Sequence, residues 1–335
     1  MAPNVITIIG SLNVDLVTLT PRVPAGGETL TATSFSTGPG GKGANQAVAC
    51  GRLSRPNPKT TSKTTTSPEN EITIKMLGAV GADEFSSALL ESIRASYIDT
   101  NGIVIVPNQS TGVAVILVEE STGENRILLN PGANSHLQPS DFLTVESLGT
   151  PTPDLIILQL EIPLPTVFQI LKTAKEAGVA VLFNPAPAVP LPLEVYPAIT
   201  HLIVNETEAA ILTDKPISEV EKEGFDWDNV AEVLLKRGAK NLIITLGSKG
   251  AYFSHAGLKK GGFVKAEPVT KVVDTTAAGD TFVGAYAVNV VRKGGEGFVT
   301  EEDVRLACRA SARTVEKKGA QSAIPWADEV ERKTG

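Results

Sequence analysis

Cysteine is scarce in this chain of 335 residues: only Cys50 and Cys308 are present, and no C-x-x-C pair occurs. A disulfide framework is therefore not expected, and a reducing compartment is favoured. Histidine is nearly as rare. His136, His201 and His255 lie far apart and give no zinc-ligand spacing. Excess positive charge is also lacking. A net charge of −7 argues against a nucleic-acid or membrane partner recruited by bulk charge. No window approaches the ~18 apolar residues of a membrane span. Met1 to Gly10 has no basic stretch followed by a long apolar run, so Val5 to Ile9 reads as a first core strand and not as a signal peptide. No Gly-x-Ser-x-Gly nucleophile motif appears. The expected location is the cytoplasm, with the nucleus as a second compartment.

What is present is an ordinary globular composition, 42% hydrophobic and 20% charged, with chain enough for one large domain or two smaller ones. Apolar runs alternate with helical patterns. Strands are expected at Val5 to Ile9, Ile74 to Val80, Asp154 to Leu160, Val179 to Phe183, His201 to Val204 and Asn241 to Leu246. Most of these runs are continuous, as in strands buried on both faces. Helices are expected at Gly43 to Leu53, Glu84 to Ser96, Thr166 to Ala177, Trp227 to Arg237 and Glu301 to Glu316. This alternation implies α/β architecture, a mainly parallel sheet with helices on both sides. Leu16 to Thr37 and Gly102 to Leu129 depart from the pattern. They read as antiparallel strand pieces outside the main sheet, the second including Ile103 to Val106. Residues 57–70 are polar and low in complexity, and 216–228 are acidic; both read as surface insertions.

The most informative stretch is Asp274-Thr275-Thr276-Ala277-Ala278-Gly279-Asp280-Thr281-Phe282. It follows a strand-like run, Val269 to Val273, and opens a helix. Ala277, Ala278 and Gly279 have almost no side chain, so their backbone N–H groups can approach a bound group closely. Those groups lack intrahelical partners and carry the positive end of the helix dipole, which makes an anion site. Asp280 stands inside it. An anion cradle containing a carboxylate suggests transfer of an anionic group to a hydroxyl, with the carboxylate accepting the hydroxyl proton. A Gly-Asp pair alone would more simply be a strand-to-helix turn with an early helix acid.

Gly38, Gly40 and Gly43 satisfy G-x-G-x-x-G, but the dinucleotide reading fails. Thr31 to Thr37 is too polar for a first buried strand, and no acid ends a second strand at the required distance. A phosphate-binding P-loop fails as well, since Ser36 and Gly43 stand where Gly and Ser or Thr are required. A flexible turn remains, carrying one cation (Lys42) and one amide (Asn45). Asn13 and Asp15, two apart after the first strand, point to one side of an extended backbone. They suit a polyol or a simple Asx turn. Glu161 ends a buried strand. Asn205 and Glu208 fit a helix start with an N-cap and early acids.

Taken together these motifs resemble the PfkB-type sugar kinases, the ribokinase family, from Gly10 to Pro325 in the right order. Gly41-Lys42-Gly43-Ala44-Asn45 resembles the N-terminal signature, and the run ending at Asp280 the C-terminal one. The resemblance implies a single domain over 1–335, a three-layer α/β/α fold with a mainly parallel sheet, and a small β lid from approximately 13–40 and 102–129. It implies ATP-dependent phosphorylation of D-ribose at its 5-hydroxyl, with Asp280 as base and Ala277, Ala278 and Gly279 forming the anion hole. The sugar would meet Asn13, Asp15, Gly41, Lys42, Gly43, Asn45 and Glu161. The nucleotide would meet Asn205, Thr245, Gly247, Ser248, Lys249, Gly250, Gly279 and Cys308. Asp274, Thr276, Thr314, Lys317, Gly319 and Ala323 would surround K⁺, and Glu208 would act on Mg²⁺ through water. A homodimer through the lid is implied too. A sibling kinase for another sugar or a nucleoside, or a silent sugar-binding regulator, stand as alternatives. The lid segments are rich in Thr and short of aromatics, with Phe35 the exception, which disfavours a stacked base.

Overall fold

The computed structural model describes residues 4–60, 72–295 and 297–331. Among them, one sheet holds β1 (Asn4–Ile9), β4 (Ile72–Gly81), β5 (Ile98–Val106), β8 (Leu155–Leu158), β9 (Ala180–Phe183), β10 (His201–Asn205), β11 (Asn241–Thr245), β12 (Gly250–His255) and β13 (Gly262–Lys265). A second holds β2 (Asn13–Thr20), β3 (Ser34–Gly40), β6 (Gly112–Glu119) and β7 (Asn125–Asn130). The helices are α1 (Lys42–Leu53), α2 (Glu84–Arg94), α3 (Leu164–Ala177), α4 (Glu206–Leu212), α5 (Ile217–Val220), α6 (Trp227–Lys236), α7 (Ala278–Arg292), α8 (Glu301–Val315) and α9 (Ala327–Glu331).

The large sheet runs in the order β13-β12-β11-β10-β9-β8-β1-β4-β5. Strands β11 to β5 in that order are mutually parallel, and β12 and β13 add an antiparallel edge. The six strands expected for the main sheet are all there, and their continuous apolar character has a simple cause. Alternate residues of one strand enter two different cores. Ile157, Leu182, Ile203 and Ile243 pack with α1, α2, α7 and α8. Ile156, Val181, Leu202 and Leu242 pack with α3, α4 and α6. The result is a three-layer α/β/α fold.

Helix ends follow local chemistry. α3 begins with Pro165 in its first turn and ends at Gly178 in the left-handed region. α8 opens with a Thr300–Asp303 capping box.

Four expectations need correction. Ile103 to Val106 belongs to β5, which pairs parallel with β4 in the main sheet. The α2 crossover between them supplies the connection that a parallel pair requires. The small sheet, ordered β3-β2-β6-β7, is mixed, since β2 and β6 run parallel while the outer pairs are antiparallel. Val269 to Val273 forms no strand; this stretch is irregular, with Val272 and Val273 about half exposed, and only isolated contacts such as Val273 N–H to the Val315 carbonyl hold it. The 216–228 stretch is more than a surface insertion: Val220 is buried, and Phe225 meets Trp227 edge to face. Most of the 57–70 segment lies outside the described residues.

The order in which strands are added to the sheet reverses at β1. From β1 the chain proceeds to β4 and β5 on one side, and from β8 through β11 on the other. The crevice beyond the carboxyl ends of β1 and β8 is therefore the topological switch point, where open α/β sheets bind ligands.

Candidate active site

Two helix N-termini face that crevice. α1 is entered through Gly41 at φ 87°, and no side chain of the entry residue caps it. Glu161, three residues beyond β8, fills the place: its Oε2 accepts from the Lys42 N–H at 3.0 Å, the Ser11 hydroxyl at 2.6 Å and the Asn13 amide at 3.3 Å. Carboxylate at a helix N-terminus is a favourable pairing. α1 lies so close to the β1 end that a methyl group on Gly43 would sit 2.6 Å from the Ser11 nitrogen. Only glycine permits this approach, which lets Ala44 N–H reach the Ser11 carbonyl at 2.9 Å.

The α7 N-terminus is different. Ala277 takes a left-handed conformation, φ 59°, and no side chain caps the helix. The space beside Gly279 is open. Asp280 sits in this first turn and is only 8% exposed. Its Oδ2 accepts from Asn45 Nδ2 at 3.0 Å and its Oδ1 from Gln46 Nε2 at 2.9 Å. Thr281 and Ser311 hold the turn through the Ala277 and Ala278 carbonyls.

Charge is concentrated between these ends. Burial, then the carboxylates of Glu161 and Asp280, push the Asp15 carboxyl up to about 7. Burial alone would lower the Lys42 ammonium, but Asp280, Glu161 and Glu208 outweigh it and raise its pKa. Lys42 is thus the cation among four carboxylates. Asp15 packs against Gly40, where a methyl group would lie 2.3 Å from its carboxylate oxygens. Asn13 and Asp15 are therefore brought to the crevice together with Lys42, Asn45 and Glu161.

Behind the α7 N-terminus opens a cavity of about 490 Å³. Thr245, Gly247, Ser248, Gly250, Gly279 and Cys308 line it, beside apolar Val272, Phe282 and Val315. The irregular 269–273 chain that replaces the expected strand supplies part of this wall. Burial, together with the nearby Glu267 carboxylate, pushes the Cys308 thiol up to about 11, so it is an apolar contact and no thiolate. Lys249 does not line the cavity; it pairs with Glu206 at 2.9 Å. Asn205 caps α4, and its exchange with Glu208 completes a capping box. Burial raises the Glu208 pKa, with Lys42 and Asp280 as its charged neighbours in the site.

Asp274 ties two loops together, accepting from the Thr276 N–H and hydroxyl on one oxygen and from Gly319 N–H at 2.9 Å on the other. Burial works against its charge, but these hydrogen bonds and the Lys318 ammonium win, and its pKa falls below the ordinary value. Thr314 is buried and donates to the Thr281 hydroxyl. Ala323 is buried, and the Lys317 ammonium turns away to Glu329. Only main-chain oxygens of Lys317 and Ala323 are then available to a cation.

Several polar residues at the site were not singled out from sequence. Ser11 and Asn134 hold the Glu161 and Asn13 side chains. Gln46, Gln159 and Asn184 form a buried amide chain behind Asp280. Gln46 follows Asn45 and Gln159 lies two residues before Glu161, but neither amide carries a pattern of its own. Asn134 lies after β7 with no motif around it.

The fold is ribokinase-like, and its switch-point crevice carries a carboxylate at an open helix N-terminus beside a second cavity. The chain belongs to the pfkB family of carbohydrate kinases, whose model matches residues 4–327. It is similar to the ribokinase of Schizosaccharomyces pombe, at 43% identity over 97% of this chain and 96% of that one. Among solved structures it is similar to ribokinase from Thermotoga maritima, with TM-score 0.79, 34% identity and 98% of both chains covered. It also matches Arabidopsis thaliana ribokinase complexed with ribose and ATP, with TM-score 0.81, 31% identity and 98% of both chains covered.

Proposed function

We propose that this protein phosphorylates D-ribose at the 5-hydroxyl with ATP, giving D-ribose 5-phosphate and ADP. The observation that carries the reading is Asp280 held by Asn45 and Gln46 at the uncapped start of α7, between the Asn13–Asp15–Glu161 group and the Thr245–Cys308 cavity. Full-length similarity to ribokinases supports it.

Asp280 takes the proton of the sugar hydroxyl, and that oxygen attacks the γ-phosphorus as the bond to the β-phosphate oxygen breaks. Backbone N–H groups of residues 277–280 and the Lys42 ammonium face the charge that develops on the phosphoryl oxygens. Phosphoryl transfer is catalysed mainly by such positioning and electrostatics. Asn13, Asp15, Gly41, Gly43, Asn45 and Glu161 orient the sugar; Thr245, Gly247, Ser248, Gly250 and Cys308 contact the nucleotide, with Asn205 and Lys249 at its edge.

Magnesium carried with the triphosphate would neutralise phosphate charge. A single half-buried carboxylate, Glu208, suits a water-mediated contact. For K⁺, the anionic Asp274 and the carbonyl-rich 314–323 turn fit a hard monovalent cation, with Thr276, Thr314, Lys317, Gly319 and Ala323 around it. That site would brace the 274–280 turn through Asp274. The small sheet of β2, β3, β6 and β7 acts as a lid that excludes water, and its exposed face joins a second copy. The working location is the cytoplasm.

The test is ATP-dependent phosphorylation of D-ribose, 2-deoxyribose, fructose and adenosine with Mg²⁺, with and without K⁺. Ribose turnover raised by K⁺ supports both assignments. Turnover of another substrate alone keeps the mechanism and moves the substrate. No turnover of any would leave a non-catalytic sugar binder.

A further inference from the structure

Behind Asp280 lies a line of amides that reaches back into the sheet. Gln46 Nε2 donates to Asp280 Oδ1 at 2.9 Å and to Asn184 Oδ1 at 3.1 Å. Gln46 Oε1 accepts from Gln159 Nε2 at 2.7 Å. Asn184 Nδ2 in turn donates to the Ile203 carbonyl at 2.9 Å. Gln46 and Gln159 are fully buried, and Asn184 nearly so.

Every donor and acceptor of the Gln46 carboxamide is thus engaged. A carboxamide can be turned over by 180° at little cost when its surroundings tolerate either end. Here they do not. Reversal would set the Gln46 oxygen against the Asp280 carboxylate and the Asn184 oxygen, and its NH₂ against the NH₂ of Gln159. The orientation of the donor that faces Asp280 is therefore fixed by the carboxylate itself and by Asn184, which follows β9 and is held by the Ile203 carbonyl in β10; Gln159, which follows β8 and whose Oε1 has no partner, adds a hydrogen bond to the far end.

We infer that Gln46, locked by Asn184 and further bonded to Gln159, is a positioning residue for phosphoryl transfer: it fixes the Asp280 carboxylate so that one lone pair stays aimed at the incoming hydroxyl. The inference rests on the kinase reading above. The physical reason is the geometric demand of general-base catalysis, in which the base must lie within hydrogen-bond reach of the proton it abstracts. A carboxylate on one helix turn can rotate about its own bonds. Asn45 restrains one oxygen and Gln46 the other, and only Gln46 is itself restrained by further buried groups; the Asn45 Oδ1 is buried without a partner.

The experiment compares the unmodified full chain with Gln46→Met and Gln159→Met, which keep approximate volume and remove the donor or the hydrogen bond behind it. Steady-state kinetics with ribose and ATP are measured across pH. Gln46→Met is expected to lower kcat by about ten- to a hundredfold, the scale of a misplaced reacting group. The KM for each substrate should change little. The acid limb of kcat/KM should move to higher pH, because a donor to the carboxylate is gone. Lys42 on α1, Asp15 on β2, Glu161 beyond β8 and Glu208 on α4 are the other charged groups facing Asp280, and both variants leave them in place. Gln159→Met removes only the outer hydrogen bond and should shift the same quantities by less. A Gln46→Met protein of native circular dichroism with unchanged kcat and unchanged acid limb would overturn the inference. So would a loss seen only in melting temperature. Absence of turnover of every substrate in the panel by the unmodified protein would sink the kinase reading, and this inference with it.

Discussion

Asn45 and Asp280 stand 235 residues apart in sequence, yet Asn45 Nδ2 donates to Asp280 Oδ2 at 3.0 Å. The two glycine-rich turns of the chain meet at this bond. One supplies the amide at the start of α1, the other the carboxylate at the start of α7.

Asp280→Asn tests the base. The new amide would place an N–H against donors, but Asn45 can turn over, because its oxygen has no partner. The fold should therefore survive. Turnover should fall by about 10²- to 10⁴-fold, the contribution of a general base. Ribose binding, measured by calorimetry, should persist. Unchanged turnover would remove Asp280 from that role.

The pH dependence of stability should report Asp15. Its carboxyl is raised from 3.8 to about 7 by burial and by Glu161 and Asp280. A raised acid binds its proton more tightly in the folded state, so its contribution is fully present below about pH 4 and is lost as pH rises to about 7. In Asp15→Asn this decline should vanish, leaving a flatter melting temperature between those limits. A curve with the same slope in both proteins would contradict the assignment.

Asn134 should matter for the sugar and not for the chemistry. Its side chain accepts from Leu12 N–H at 2.9 Å, and donates to the Leu12 carbonyl and to Asn13 Oδ1 at 2.8 Å. This fixes the Asn13 amide with its NH₂ toward Glu161. Asn134→Leu should cost about 1–3 kcal/mol through unsatisfied buried groups. It should raise the KM for ribose with kcat little changed. Chemical denaturation and kinetics would both be read; a kcat loss with constant KM is the contrary result.

Gly43→Ala should destabilise by about 1–3 kcal/mol, since the methyl group must push backbone at 2.6–2.8 Å and not a flexible side-chain end. Denaturant midpoints at constant slope would measure it. A neutral change would mean that α1 and the β1 end separate without cost.

On the face of the small sheet turned away from Asp15, Phe35 and Leu128 are exposed, while Ile127 and Leu129 point to the opposite face. If a second copy covers this face, Leu128→Lys should convert a dimer to a monomer by sedimentation. A monomeric unmodified protein would end the dimer proposal.

Much of this was written in the sequence because its signals are local. Continuous apolar runs mark strands buried on both sides, and Ile156 beside Ile157 needs two cores whatever the topology. The small residues before Asp280 announce an open helix start, and the glycines around Lys42 announce a close backbone approach. Those features follow from side-chain size and backbone freedom alone.

Tertiary structure decided what depends on partners distant in the chain. Ile103 to Val106 has the composition of a lone strand, and only pairing with β4 puts it in the main sheet. Val269 to Val273 is apolar, but with no neighbouring strand to accept its hydrogen bonds it stays irregular and walls a cavity. Glu161 was legible as an acid after a strand, but not that Ser11, Asn13 and Lys42 would all donate to it. The amides of Gln46, Gln159 and Asn184 were silent for the same reason: a carboxamide carries no periodicity, and its role is set by which group the fold brings to each of its two ends.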